Sequence, residues 1–322
     1  MSLNDLMLNR RQALGLGAAA LASLGLAACD GAEAPAPSSS DEEAVEEAQL
    51  DADAYDELIA SGEVAADDVV AASAWASAVK EAGMLRVGGV QTSTLFSSLN
   101  EQDGMTRGFD AGLSQLLTRY ILGDESKQEI TQVTSDTRES VLQNDQVDVV
   151  FATYSINDDR KKVISFAGPY YTTQQSILVM ADNSDINSVE DLAGRNVAAQ
   201  SGSTGPSVLE EYAPEATIQE FSTDEEARTA LKQGRVDAYV IDTAMLMSSM
   251  TRNPGRYRLA GEGFGPVDAY GIGLPLDSDG VAFVNDWLQK IEDEGVWEEL
   301  WQLCIGDRAG IDTVPEPPAI GA

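Results

Sequence analysis

Two stretches of this chain share one cadence, Leu142-Gln-Asn-Asp-Gln-Val-Asp-Val-Val and Leu231-Lys-Gln-Gly-Arg-Val-Asp-Ala-Tyr-Val. Each reads as a helix end, a turn and a strand with apolar residues on both faces. Such a strand is buried on both sides. Reached directly from a helix, it belongs to a parallel sheet layered with helices. The repetition limits the chain to an α/β architecture with two lobes built on one plan.

The flanking pattern agrees. From Met84 to about Ile305 strands and helices alternate. In the first unit, 85–88 reads as a strand and 109–121 as a helix with Leu113, Leu116 and Leu117 on one face. Strand 129–133 follows, then helix 137–143, with Ser135 or Asp136 as N-cap, and strand 147–152. A second unit begins near Asp182. There a short helix 188–194 is stopped by Gly194, strand 196–200 follows, and 201–207 opens another helix. Strand 218–221, helix 224–233, strand 236–241 and helix 243–250 complete it. About 220 residues suffice for two small cores.

The ends of the chain speak to location. Arg10 and Arg11 precede an uncharged run, Ala13 to Ala28, closed by Leu26-Ala-Ala-Cys29. Residues 1–28 read as a signal peptide, the run being short and rich in Gly and Ala for a span of ~20 apolar residues. The Leu-Ala-Ala-Cys end resembles the bacterial lipobox, which makes Cys29 a lipidated first residue and the protein an extracytoplasmic lipoprotein on the cell membrane. The arginine pair fits either a twin-arginine signal or an ordinary Sec signal.

Residues 29–82 read as an acidic tether followed by an N-terminal helix. Positions 30–79 hold 14 Asp and Glu and no Lys or Arg. Residues 32–40 are Pro-, Ser- and Ala-rich, and 41–59 carry too thin an apolar stripe for a packed helix, so a solvated segment is expected. Residues 67–82 have a helical pattern with a stop at Gly83. Residues 311–322 are left as a tail. No calcium-loop spacing occurs in the acidic run, and no metal or cofactor is expected.

Composition removes several chemistries. The chain has no histidine, which excludes His-based triads and His-ligated metals. Its net charge is −34. Such a surface repels phosphate, so no nucleic-acid partner is expected. With Cys29 lipidated, Cys304 has no intrachain partner. It lies in the apolar stripe 297–304 and reads as an inert buried thiol.

The run Phe151-Ala-Thr-Tyr-Ser-Ile-Asn-Asp-Asp-Arg160 carries the chemistry. A buried strand ends in small hydroxyl residues, and an arginine follows Ser155. Open α/β folds place ligands at such strand ends. Arg160 offers a fork for a carboxylate, while Ser155 and the Thr153 backbone offer short-range partners. Arg160 paired on the surface with Asp158 or Asp159 is the plain alternative.

An ordered set of stretches resembles the family 3 extracytoplasmic solute-binding proteins that serve ABC importers of polar amino acids. It comprises Leu85-Arg-Val-Gly, Gly108-Phe-Asp, Leu142 to Asp148, Ile156-Asn-Asp-Asp-Arg-Lys161, Phe166-Ala-Gly-Pro-Tyr170, Asp191 to Ala198, Gln200-Ser-Gly-Ser-Thr204, Gly234-Arg-Val-Asp-Ala238 and Tyr270-Gly-Ile-Gly273. The run 152–157 is most similar to actinobacterial glutamate-binding lipoproteins.

The resemblance implies a two-lobed, type II periplasmic-binding-protein-like fold. Two mixed, mostly parallel sheets would be joined by hinge strands near 175–181 and 269–274. Lobe 1 would hold 83–180 plus 264–310, and lobe 2 181–263.

It also implies ligand contacts. Arg160 would take the α-carboxylate, Ser155 and the Thr153 carbonyl the main-chain groups, and Asp242 the ammonium. Ser203 and Thr204 would stand at a helix start that donates N–H groups to a carboxylate. Plain structural roles stand beside these: Asp242, Ser203 and Thr204 as N-caps; Arg138, on a helix first turn facing the same side, in a structural ion pair rather than on a ligand's side-chain carboxylate; Tyr154 and Phe96 filling the lobe or stacking on the ligand.

The loop after the first strand departs from the family pattern, with Gln91 where an acid is usual. Glutamate is the first expected ligand, with glutamine or aspartate next. The implied protein is a binding protein and not an enzyme, a monomer partnered with ABC permease subunits. A dehydratase of prephenate-like acids and a ligand-sensing subunit are the alternatives.

Overall fold

The computed structural model describes residues 48–321. The expected signal peptide, Cys29 and the first part of the tether lie outside them.

Among the described residues one sheet of nine strands forms the frame. Its strands are β1 (Leu85–Gly89), β2 (Gln128–Gln132), β3 (Val149–Phe151), β4 (Ser165–Met180), β5 (Asn196–Gln200), β6 (Thr217–Phe221), β7 (Ala238–Asp242), β8 (Tyr257–Leu259) and β9 (Phe264–Leu274). The spatial order is β2-β1-β3-β9-β4-β7-β5-β6, with β8 beside β4. At one end β1 pairs in parallel with β2 and β3, and at the other β5 with β6 and β7. The long strands β4 and β9 run antiparallel between these parallel sets.

The two expected sheets are thus one continuous ladder, because β4 and β9 stay hydrogen-bonded where they pass from lobe to lobe. A small separate three-stranded sheet (92–93, 97–99, 106–107) follows β1 in the chain.

The apolar clusters divide as the pattern requires. In the second lobe Ile177, Val179, Val197, Ala199 and Val240 face one cluster, while Leu178, Ala198, Tyr239 and Ile241 face another. Strand side chains alternate, so both faces of this sheet are covered. In the first lobe Val87, Val149 and Phe151 join the large core, and Val133, Val150 and Ala152 the opposite one. The polar run Thr172-Thr173-Gln174-Gln175-Ser176 separates the clusters along β4. The crossings therefore fall a few residues before the expected positions, and that of β9 sits at the bulged stretch Phe264 to Asp268.

The repeated cadence forms one device twice. Asp145 and Gly234 occupy the same left-handed turn, at φ 52° and 66°. Beyond the turn, Asp148 gives its N–H to the Arg86 carbonyl at 2.8 Å and takes the Arg86 N–H on its carboxylate at 2.8 Å. Asp237 does the same with Asn196, at 2.7 and 2.8 Å. Each Val-Asp therefore clamps the following strand to its parallel neighbour.

Ten α-helices of five residues or more pack around the frame among the described residues: α1 (Ala52–Ser61), α2 (Asp67–Ala71), α3 (Ala74–Ala82), α4 (Phe109–Leu122), α5 (Arg138–Gln143), α6 (Gly205–Tyr212), α7 (Asp224–Lys232), α8 (Thr243–Arg252), α9 (Gly280–Asp293) and α10 (Val296–Trp301).

Several expectations are corrected. Residues 52–59 are not solvated: α1 is N-capped by Asp51 and buries Tyr55, Leu58 and Ile59 in the first-lobe core. The Tyr55 hydroxyl donates to Gln115 at 2.8 Å. Three large apolar groups on one face outweigh the weak average pattern. The first lobe therefore starts well before residue 83. The segment 67–82 is two helices, since Ser73 caps α3. Neither Ser135 nor Asp136 caps α5; Thr137 precedes it. The Asp136 carboxylate instead accepts from Ser201 Oγ of the other lobe at 3.0 Å. The stretch 311–320 is no free tail, because Ile311, Val314 and Ile320 pack on the core and the Gly321 N–H reaches the Gly168 carbonyl at 2.7 Å. Cys304 is buried, and burial pushes its thiol well up.

Tyr55→Ala tests the recruitment of α1. Removing a buried aromatic costs about 3–5 kcal/mol, so urea unfolding should show a lower midpoint. A midpoint equal to that of the parent protein would return residues 52–61 to the tether.

Candidate ligand-binding cleft

The carboxyl ends of β3 and β7 face each other across a crevice between the lobes. These are the strand ends that the repeated cadence makes equivalent: Thr153 follows β3 and Asp242 closes β7. The first lobe adds Val90, Thr92, Gln132, Thr134 and Arg138 to the wall. The second adds Gln200, Ser203, Thr223 and Met245.

Four expected residues line this crevice: Ser155, Thr153, Asp242 and Ser203. Asp242 is buried at the end of β7. Its carboxylate accepts from Gln175 Nε2 and, at 2.9 Å, from the Tyr270 hydroxyl. Both donors are neutral, and no cation lies within salt-bridge distance of it among the described residues. Burial, reinforced by the Asp268 carboxylate, pushes the Asp242 carboxyl well above the ordinary range. It makes no side-chain cap on α8. Ser203 Oγ donates to the Gln200 carbonyl at 2.7 Å and accepts from the Gly205 N–H at 3.2 Å, shaping the turn into α6.

Three expected residues do not line the crevice. Gln91 turns aside to Thr106 Oγ1 at 3.2 Å, leaving the wall to its neighbours Val90 and Thr92. Thr204 Oγ1 donates to Asp268 at 2.8 Å and accepts from Gln175 at 3.1 Å. Arg160 is buried beside the crevice, and its fork meets backbone. Nη1 donates to the Ser155 carbonyl at 2.6 Å and Nη2 to the Gly202 carbonyl of the opposite lobe at 2.8 Å. Nε stands 3.5 Å from Glu139. The surface pairing with Asp158 or Asp159 does not occur, and Asp159 pairs with Lys162.

The residue underweighted in the sequence is Arg138, which forms no ion pair among the described residues. It is buried in the first turn of α5. Nη1 donates to the Ala152 carbonyl at 3.0 Å, Nε has no partner, and the guanidinium lies 4.0 Å from the Tyr154 ring centroid. Burial, with the nearby Arg160 charge, lowers it to about 10, so it stays protonated at neutral pH. Its signal was its place: the first turn of the helix between β2 and β3 faces the same strand ends. Tyr154 supports that guanidinium, and Phe96 fills the aromatic core.

The lobes touch at the mouth. Gly202 adopts φ 69°, and a Cβ there would fall 2.9 Å from both the Asp136 nitrogen and the Ser135 carbonyl carbon. Deeper in, Ser248 of α8 accepts the Leu95 N–H at 3.2 Å.

The crevice thus sets a buried guanidinium from one lobe against a buried carboxyl group from the other, neither in a salt bridge among the described residues, and the raised carboxyl keeps its proton near neutral pH until a cation reaches it. Unpaired buried charges are costly, and a zwitterion bearing a carboxylate and an ammonium satisfies both.

The profile of the bacterial extracellular solute-binding proteins, family 3, matches residues 85–304. The ABC transporter glutamine-binding protein GlnH of Bacillus subtilis (strain 168) is 38% identical over 220 residues, covering 67% of this chain and 80% of that protein. The glutamate-binding protein GluB of Corynebacterium glutamicum is 31% identical over 220 residues, 65% of this chain and 74% of that one. Among solved structures, an ancestral arginine-binding protein bound to arginine superposes with a TM-score of 0.63 at 32% identity, covering 70% of this chain and 99% of that chain.

Asp242→Asn tests the charge argument. An acid whose folded-state pKa is raised holds more protons folded than unfolded. The ligand-free protein therefore loses stability as pH rises from the ordinary carboxylate range toward the raised value. The Asn variant should melt higher than the parent at pH 8, with the gap closing at pH 4. Equal melting at pH 8 would refute the buried-charge reading.

Proposed function

Because this chain belongs to the bacterial extracellular solute-binding proteins of family 3, we propose that its crevice captures a polar amino acid, glutamate first, for an ABC importer. The observation that carries this reading is the buried Arg138 guanidinium opposite the buried Asp242 carboxyl group, neither in a salt bridge among the described residues.

Asp242 takes the ammonium, and the Thr153 carbonyl takes another of its hydrogens. Arg160 takes the α-carboxylate by exchanging the Gly202 carbonyl for it, with Ser155 beside it and the Ser203 turn closing from the second lobe. Arg138 takes the side-chain carboxylate. Glutamate carries two carboxylates; one guanidinium, Arg138, lines this wall and a second, Arg160, lies buried beside it. Glutamine is the second reading, favoured by GlnH and by the uncharged Gln132, Thr134 and Thr223.

Closure is hinge motion along β4 and β9, favoured by contacts that the ligand makes with both lobes only when they meet. The closed form docks on permease subunits, and lipid on Cys29 holds the protein at the membrane. Metabolic labelling with palmitate tests the anchor: loss of label in Cys29→Ala is expected, and persistent label would exclude it.

A thermal-shift screen of the amino acids tests the ligand class, since a tight ligand raises the melting point by mass action. Calorimetry should then show that Arg138→Ala loses at least about 30-fold in glutamate affinity, the scale for truncating one partner of a buried charge pair. Its loss for glutamine should be several-fold smaller. Unchanged glutamate affinity in Arg138→Ala would reject that role.

A further inference from the structure

Behind the crevice wall lies a second buried carboxylate that the binding scheme does not use. Asp110, in the first turn of α4, is 1% exposed. It has no salt bridge among the described residues, and burial raises its carboxyl to about 7. Its two partners are neutral donors: the Tyr170 hydroxyl at 2.8 Å on one oxygen, and the Thr153 backbone N–H at 2.7 Å on the other. Tyr170 is itself held, its carbonyl accepting from Trp297 Nε1 at 3.0 Å.

Thr153 is unusual in its own backbone. It adopts φ 42°, a left-handed conformation that a β-branched residue enters only under constraint. The peptide unit that ends in its N–H begins with the Ala152 carbonyl, which receives Arg138 Nη1 at 3.0 Å. One peptide group is thus gripped at both ends, by a buried carboxylate behind the wall and by the crevice guanidinium in front. Hydrogen bonds chained through a polarised group strengthen one another.

We propose that Asp110 is a positioning residue for ligand binding: by taking the Thr153 N–H it fixes the left-handed turn that aims Arg138 and the Thr153 carbonyl into the crevice. This rests on the amino-acid reading of the cleft. It predicts that Asp110 governs affinity through two groups at the wall without touching the ligand. A merely structural acid would tie α4 to β3 and affect stability alone.

The test uses Asp110→Ala, Asp110→Asn and the double variant Asp110→Ala/Thr153→Gly in the full chain. Calorimetry with L-glutamate and L-glutamine is run beside ligand-free melting and the amide proton shift of Thr153. Asp110→Ala should weaken both amino acids roughly ten- to a hundred-fold, the range for a lost hydrogen bond to a charged group. Asp110→Asn, which keeps an acceptor oxygen, should lose less. In both, the Thr153 amide proton should move upfield as its charged acceptor disappears. Glycine enters the left-handed region freely, so Thr153→Gly should restore part of the affinity lost in Asp110→Ala.

Lower melting with affinity within about twofold of the parent would overturn the proposal. Where Asp110→Ala does not fold, unchanged affinity and an unmoved Thr153 amide in Asp110→Asn would overturn it too. If the parent binds neither amino acid, the ligand reading fails separately, and the Thr153 shift in Asp110→Asn alone decides whether the carboxylate holds that turn.

Discussion

A buried charge without a counter-charge is among the costliest groups a folded chain can retain. This chain sets two buried ionisable groups facing each other without a salt bridge, the Arg138 guanidinium, which keeps its charge, and the Asp242 carboxyl, which burial biases toward its neutral form. Much of the surrounding structure reads as support for that arrangement. Tyr154 lies against the guanidinium, and the Ala152 carbonyl takes one of its N–H groups without neutralising it. Gln175 and Tyr270 hold the carboxylate with neutral dipoles. Carboxylates and cations are plentiful in the sequence, yet none is set within pairing distance of either group among the described residues. Neutral donors and acceptors orient a charge while leaving its field to act on whatever enters.

The opposition follows from the repeated plan. Each lobe delivers a helix end, a left-handed turn, a Val-Asp clamp and a buried strand, and in each the strand's last positions emerge at the shared edge. The equivalent positions carry different chemistry. Where the second lobe places Asp242, the first places Thr153, whose backbone is bent by Asp110 and whose neighbour Arg138 supplies the positive charge. Two copies of one scaffold thus present unlike ends to a ligand that is itself unlike at its two ends.

Much of the frame could be read from the chain because buried parallel strands are continuous apolar runs, and their spacing marks the helices between them. The cadences at Leu142 and Leu231 located both strand ends that line the crevice. What escaped were features decided by contacts distant in sequence. Helix α1 reads as acidic and thin until Tyr55, Leu58 and Ile59 find the core. Gln91 sits at a suggestive position but is drawn to Thr106. Asp136 reads as a cap and serves the opposite lobe. Arg138 and Arg160 are both plausible clamps in sequence, and only their three-dimensional partners separate the one with an unpartnered Nε from the one occupied with carbonyls.

The contact at Gly202 sets a gauge. There the two lobes meet backbone to backbone, with no room for a methyl group between them. The depth of the closed chamber is therefore fixed by main-chain atoms, which do not flex as long side chains do. A guest longer than the chamber allows holds the jaws apart and forfeits the Ser201 to Asp136 hydrogen bond across the gap. Selection by length is thereby written into a rigid stop at the rim, separate from the charges that select by kind.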